Sequence, residues 1–407
     1  MKHKKLPLFF SYLFFFVAFS TYCSLAQNSP VFELKDSDRV VFLGNSLFEN
    51  EGQYGYLELA LTTRWPGSGA TFRNLGWTGD NVWGEARSTF TNPPTPYQHL
   101  IQQLTKAQPT IVFVAYGGVE AREGEAGIPR FKEGLNKLLD KMDSLGAKTI
   151  LLSPIPVMYD DTSAHVTQRN ANLALYASVI AQIASERNKA YMDIYKPIQE
   201  LSQKVRILEN GVHLNETGYY YLAAELEKGL GLNPKPQPLT VTLTKESAEA
   251  SVPAKILAYD KEKAVLTFSL RENFLPLPLP QHSQSLTDNV QLIKIAGLKK
   301  GFYTLRIDDL EVVTASAKTW AEGVSVVQGP NFNQANQIRE MILKKNEQFF
   351  FQYRPLNRTY ILGFRSYEQG RHAKGLEDQS LIIKWLEGQI ALRSMPKTRV
   401  YQLTPVK

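Results

Sequence analysis

Arg39-Val40-Val41-Phe42-Leu43-Gly44-Asn45-Ser46-Leu47 is the stretch on which the fold turns. A short β-branched and aromatic run, stopped by Gly44 and followed by helical spacing at Leu57, Ala60 and Leu61, reads as a strand that turns directly into a helix. Similar runs recur at Thr71–Leu75, Thr110–Ala115, Thr149–Leu152 and Ala190–Ile194. Between them, Phe131, Leu135, Leu138, Leu139 and Met142 mark one face of a helix over Pro129–Met142, and Leu173, Tyr176, Ile180 and Ile183 mark another over Asn170–Arg187. Strand-helix alternation of this kind predicts a parallel sheet with helices on both faces. Function then gathers in loops at the carboxyl ends of the strands.

The reading extends to about Gly231, so the first domain is expected over 38–231. The proline-spaced stretch 232–239 is a linker by composition. From 240 to 328 the runs at Thr240–Thr244, Ala264–Leu270, Gln291–Ile295, Tyr303–Ile307 and Glu311–Ala315 predict a small β-rich, antiparallel region, interrupted by an extended Leu275–Pro280. Helices return over 329–407, where Ala335, Ile338, Ile342 and Phe349 share a face. This carboxyl-terminal helical region is expected to fold back on the first domain.

With 407 residues, 43% of them hydrophobic, the chain has ample material for a large core. Its single cysteine, Cys23, excludes a disulfide scaffold. Residues 1–26 read as an export signal: Lys2, Lys4 and Lys5, an apolar run from Leu6 to Phe19, and Ser24-Leu25-Ala26 as a small-x-small cleavage site. Cleavage after Ala26 predicts a periplasmic or extracellular protein. Lipidation at Cys23 is the rival, disfavoured by Tyr22 just before it. The apolar run is too short for a stable membrane insertion. Removal of three lysines and no acid from the formal +7 leaves a small charge, and no basic run interleaves with aromatics, which argues against a nucleic-acid partner.

Three segments carry candidate chemistry, each at an expected strand end. Ser46 follows the first strand, where a hydroxyl and free backbone N–H groups suit a nucleophile, although a helix cap explains the same residues. Asn74-Leu75-Gly76-Trp77-Thr78-Gly79 closes the second strand, and its glycines let a backbone N–H approach a substrate. Asn210-Gly211-Val212-His213 offers a histidine as general base. No histidine pair has metal-ligand spacing, and no phosphate-binding glycine loop is present, so neither metal nor cofactor is implied.

Taken with Tyr116-Gly117-Gly118 after the third strand, these blocks resemble, in order, those of the SGNH (GDSL) hydrolases. The resemblance implies a flavodoxin-like three-layer α/β/α fold and serine esterase chemistry over residues 38–231. It makes Ser46 the nucleophile and His213 the base, with the Ser46 and Gly76 N–H groups as oxyanion donors. Asn45 stands for the family's usual Asp, Val119 for its oxyanion asparagine, and Asn210 for the acid three residues before the histidine. The amide carbonyl of Asn210 is expected to accept from the imidazole Nδ1–H. Asn45, Val119 and Trp77 are placed beside the substrate, Trp77 as a surface for a sugar. The stretch Arg354–Tyr360, continuing through Arg365 and Glu368, looks like an extension found in a subset of bacterial members. The leading expectation is an exported carbohydrate esterase acting on an acylated polysaccharide or small molecule. The alternative is a catalytically degenerate binding or scaffold protein on the same fold.

Overall fold

The computed structural model describes residues 32–87, 94–158, 164–280, 290–354 and 371–406. The expected signal, Cys23, Arg365 and Glu368 lie outside these residues.

Strands β1 (Arg39–Gly44), β2 (Thr71–Asn74), β3 (Ile111–Ala115), β4 (Lys148–Leu152) and β5 (Ala190–Met192) form one sheet in the order β2-β1-β3-β4-β5, every pairing parallel. The alternation of side chains along β1 explains why its run is apolar throughout. Val40 and Phe42 enter one core with Ile111 and Phe113, whereas Val41 and Leu43 enter the other with Val112 and Val114. Helices cover both faces: α1 (Ser46–Tyr54), α2 (Tyr56–Arg64), α3 (Pro96–Ala107), α4 (Ile128–Ser144), α5 (Ala164–Glu186), α6 (Tyr195–Ser202) and α7 (Glu216–Gly229). All five apolar positions read for α4 are buried. The fold is the three-layer α/β/α arrangement with an additional β-rich region behind it.

That second region departs from its expected form in two ways. Of β6 (Leu239–Leu243), β7 (Ala248–Ala250), β8 (Lys255–Asp260), β9 (Val265–Leu270), β10 (Gln291–Ala296), β11 (Phe302–Ile307), β12 (Leu310–Ser316), β13 (Val324–Val326) and β14 (Arg399–Pro405), the pair β6 and β10 is parallel, not antiparallel. The residues that separate the two in sequence supply the crossover a parallel pair needs. In addition, β14 comes from the end of the chain and lies between β9 and β11 in the sheet β12-β11-β14-β9-β8. The segment 329–407 is therefore not wholly helical. Its last strand completes the β layer.

Helix α8 (Ala317–Glu322) lies in the β-rich part, followed by α9 (Pro330–Tyr353) and α10 (Arg371–Ser394). Helix α9 does fold back on the first sheet's helices. Ile338 and Ile342 share a buried cluster with Leu59 of α2, and Lys345 Nζ lies 2.6 and 2.7 Å from the two carboxylate oxygens of Glu58. Phe349 packs into the α/β core rather than only against α10. No described helix is long and apolar enough to cross a membrane.

Candidate active site

The carboxyl end of β1 delivers Asn45 and Ser46. Asn45 is the N-cap of α1: its Oδ1 accepts from Leu47 N–H at 3.1 Å. Ser46 is then the first helical residue, and its own N–H donates to no described residue. It points from the positive end of the helix macrodipole, where a developing oxyanion is stabilised.

The loop after β2 is held tightly. Trp77 N–H donates to Gly44 O at 3.0 Å, and Thr78 N–H donates to the Glu49 carboxylate. Gly76 runs so close to α1 that a Cβ on it would stand 2.2 Å from Glu49 N, so only glycine fits. Its N–H, however, donates to Asn74 Oδ1 at 2.9 Å. This is an Asx turn, the standard local bond of an Asn to the residue two ahead. Gly76 is therefore already committed and does not line the cavity that holds Ser46. Gly79 does: it lines that cavity at φ +78° with its N–H donating to no described residue. On this cavity Gly79 stands where Gly76 was expected. The spacing Asn74-x-Gly76 was the signal that Gly76 had a partner in its own turn.

Below this loop, Arg87 and Asp80 form a buried ion pair at 2.7 Å, and Tyr116 OH donates to Asp80 at 3.0 Å. Burial pushes the Asp80 carboxyl up while Arg87 pulls it back. The pair anchors the turn that presents Gly79, and sequence reading missed it because Arg87 carries no motif.

His213 comes from the loop before α7. The loop is closed by Glu209 N–H to His213 O at 2.9 Å, and Asn215 caps α7. Tyr219 ties that helix to the nucleophile turn by donating to Leu47 O at 2.7 Å. Ser46, Gly79, Val119, His213 and Tyr219 thus line one cavity of about 280 Å³.

Asn210 does not act on His213 as expected. Its Oδ1 accepts from two backbone groups, Val212 N–H at 3.2 Å and His213 N–H at 3.1 Å, and this fixes the orientation of the amide. The Nδ2 then lies 3.3 Å from His213 Nδ1. A flipped amide would set its NH₂ against two N–H donors. The amide thus donates to Nδ1, so the neutral ring carries its proton on Nε2, the nitrogen that a base must keep free. An aspartate here would accept on both oxygens and select the other tautomer.

Val119 lines the cavity, and its side chain offers no donor. Trp77 does not line it. Its ring lies under the Arg354 guanidinium at 3.8 Å and beside Tyr353 and His99, so the expected sugar platform is a packing surface for α9. Arg354 also pairs with Glu49 at 3.0 Å, and Tyr353 OH donates to Gly76 O at 2.7 Å. Trp83 is likewise turned away, donating to Arg130 O. Tyr54 stacks on Tyr219 and donates to Glu209.

Glu120, one residue past Val119, is buried and accepts from Val82 N–H at 3.0 Å and Gly117 N–H at 2.9 Å. Burial pushes its carboxyl from 4.5 up to about 7. The folded chain thus binds the extra proton between these values, so Glu120 makes stability fall as pH rises through that window. Thermal midpoints measured from pH 4.5 to 7.5 are expected to fall less steeply in Glu120→Gln than in the native chain. Equal slopes would remove Glu120 as the cause.

The GDSL-like Lipase/Acylhydrolase family model matches residues 42–221. Among solved structures, a gut microbial diltiazem-metabolizing enzyme superposes with a TM-score of 0.72 at 19% identity, over 92% of this chain and 99% of that one, which shows a shared fold along nearly the whole length. The acetylxylan esterase Axe2 from Geobacillus stearothermophilus, 17% identical, covers 50% of this chain and 98% of its own, with a TM-score of 0.38. LAE5, an alpha/beta hydrolase enzyme from the metagenome of Lake Arreo, Spain, is 14% identical over 48% of this chain and 96% of its own, with a TM-score of 0.39. A search of curated proteins finds no match. Residues 42–221 carry a domain of the GDSL-like lipase/acylhydrolase family, the SGNH hydrolases, whose reaction is the hydrolysis of ester bonds.

Proposed function

We propose that the protein is an exported carbohydrate esterase that removes acetyl or other short acyl groups through Ser46 and His213. The observation that carries the reading is the convergence of Ser46, His213 and the uncommitted Ser46 and Gly79 N–H groups on one small cavity. A cavity of about 280 Å³ favours a short acyl group over a long lipid chain. The export signal read over 1–26 favours a substrate outside the cytoplasm, and polysaccharide esters are such substrates.

In this reading Ser46 Oγ attacks the ester carbonyl while His213 Nε2 takes its proton. The carbonyl π electrons move to oxygen, where the two N–H groups hold the charge. Collapse expels the alcohol, which receives the proton from His213. Water then attacks the acyl-enzyme by the same route, releasing the acid and restoring Ser46. Each cycle requires the Nδ1–H tautomer that Asn210 disfavours, so turnover is slow.

The experiment is hydrolysis of 4-nitrophenyl acetate by the purified protein beside Ser46→Ala and His213→Ala, with thermal midpoints checked. In subtilisin the serine or histidine accounts for about 2 × 10⁶ in kcat and the acid alone for about 3 × 10⁴, so a site already lacking the acid retains about 10² for the other two to lose. Each variant is expected to lose about 10²-fold. Unchanged rates in both would sink the esterase reading. A second reading, a binding protein on a degenerate site, is favoured specifically by the Asn210 Nδ2 contact and by Val119, and it predicts such unchanged rates with retained affinity for a glycan.

A further inference from the structure

We infer that the ester taken by this site carries a carboxylate, which Arg122 binds on the wall of the cavity formed by Gly118 and Val119. The inference rests on the esterase reading above and deepens it by naming the substrate class.

Arg122 lines the cavity that holds Ser46 and His213, and no Asp or Glu is among the described residues lining it. Arg122 stands one turn past Val119, with its N–H donating to Val119 O at 3.1 Å. Arg169, on α5, donates from Nη2 to Gly118 O. This wall touches the nucleophile turn directly, since a Cβ on Gly118 would lie 3.2 Å from Asn45 Nδ2.

The contrast with other arginines sharpens the point. Arg64, Arg73, Arg87, Arg130 and Arg187 each pair with a carboxylate of the chain. Arg122 pairs with none of the described carboxylates, and it is exposed. The acid nearest in sequence, Glu120, turns inward to the Val82 and Gly117 N–H groups. Its charge is reduced near neutrality, because burial raises its carboxyl to about 7. A guanidinium fork also fits a carboxylate with two parallel hydrogen bonds, a geometry that a neutral acyl group does not use.

The carboxylate can sit on the acyl side or the alcohol side of the ester, and matched pairs separate the two. For the acyl side, 4-nitrophenyl hydrogen glutarate is compared with 4-nitrophenyl pentanoate. For the alcohol side, 4-acetoxybenzoate is compared with 4-acetoxybenzamide. The expected result is a charged-to-neutral ratio of kcat/KM of at least about 10 in one pair, expressed mainly in KM. The ratio falls about tenfold in Arg122→Gln and below one in Arg122→Glu. A native ratio near one in both pairs, or a ratio that survives both Arg122 changes, overturns the inference while Ser46-dependent turnover leaves the esterase reading standing. If instead Ser46→Ala alters no rate, the esterase reading fails. Calorimetry with glutarate and 4-acetoxybenzoate then decides the inference by itself: binding lost in Arg122→Glu supports it, and no binding to the native protein overturns it.

Discussion

Asn210→Asp is expected to raise kcat/KM for 4-nitrophenyl acetate by between about 10² and 10⁴ at neutral pH. The native Oδ1 holds two backbone N–H groups, and the native Nδ2 faces His213 Nδ1. Replacing that NH₂ by oxygen leaves both backbone bonds intact and converts a donor into an acceptor. The ring then takes its proton on Nδ1, freeing Nε2 for Ser46, and the carboxylate stabilises the imidazolium that forms. The reverse change in a serine protease costs about 10⁴, which sets the upper end. The lower end reflects the donor missing at Val119, since loss of one oxyanion donor costs about 10² to 10³. The gain should appear in kcat, because the acid acts on the transition state rather than on substrate binding. Ser46→Ala should then cost far more in the Asn210→Asp background than in the native one. A rate unchanged by Asn210→Asp, with the fold intact, would show that the His213 tautomer does not limit the reaction.

Lys345→Met is expected to destabilise the protein by about 3–5 kcal/mol. Its ammonium is fully buried and meets both oxygens of Glu58, whose side chain is 4% exposed, as well as Phe72 O at 3.2 Å. Burial pushes the lysine down and the glutamate up, while each partner pulls the other back toward its charged form. Removing one member strands a charge in a dry contact between α9 and α2. Removing both, as Glu58→Leu with Lys345→Met, leaves no such charge and should recover most of the loss. Urea denaturation of the single and double variants measures the difference. A single variant within about 1 kcal/mol of native would mean that water reaches this contact.

The first sheet was legible because burial on both faces leaves a strand no polar positions, so runs such as Val40–Leu43 stand out by composition alone. Helix α4 was legible for a related reason, its five apolar residues repeating at the helical period. The β layer was harder. Whether β6 and β10 run parallel depends on where the chain crosses over, which no local pattern encodes, and β14 is an alternating strand whose partners lie far away in sequence. At the site, Ser46 and His213 were legible because their blocks have characteristic residues in order. The direction of the Asn210 amide was not, because it depends on which N–H groups the turn presents. Nor was the fate of Trp77: an exposed-looking loop aromatic became a seat for Arg354, and that contact joins segments far apart in the chain.

The position of β14 bears on how the protein is made. It is an interior strand of its sheet, bonded to β9 on one side and β11 on the other, yet it is synthesised after both. Until residues 399–405 emerge, β9 and β11 face each other across a gap with unpaired backbone edges. The α/β part contains every strand of its own sheet by residue 192 and can collapse long before that. Synthesis therefore passes through a stage with a finished hydrolase layer attached to an open one, and a nascent chain stalled before residue 399 exposes two sticky edges at once. Chaperone capture should concentrate on this interval.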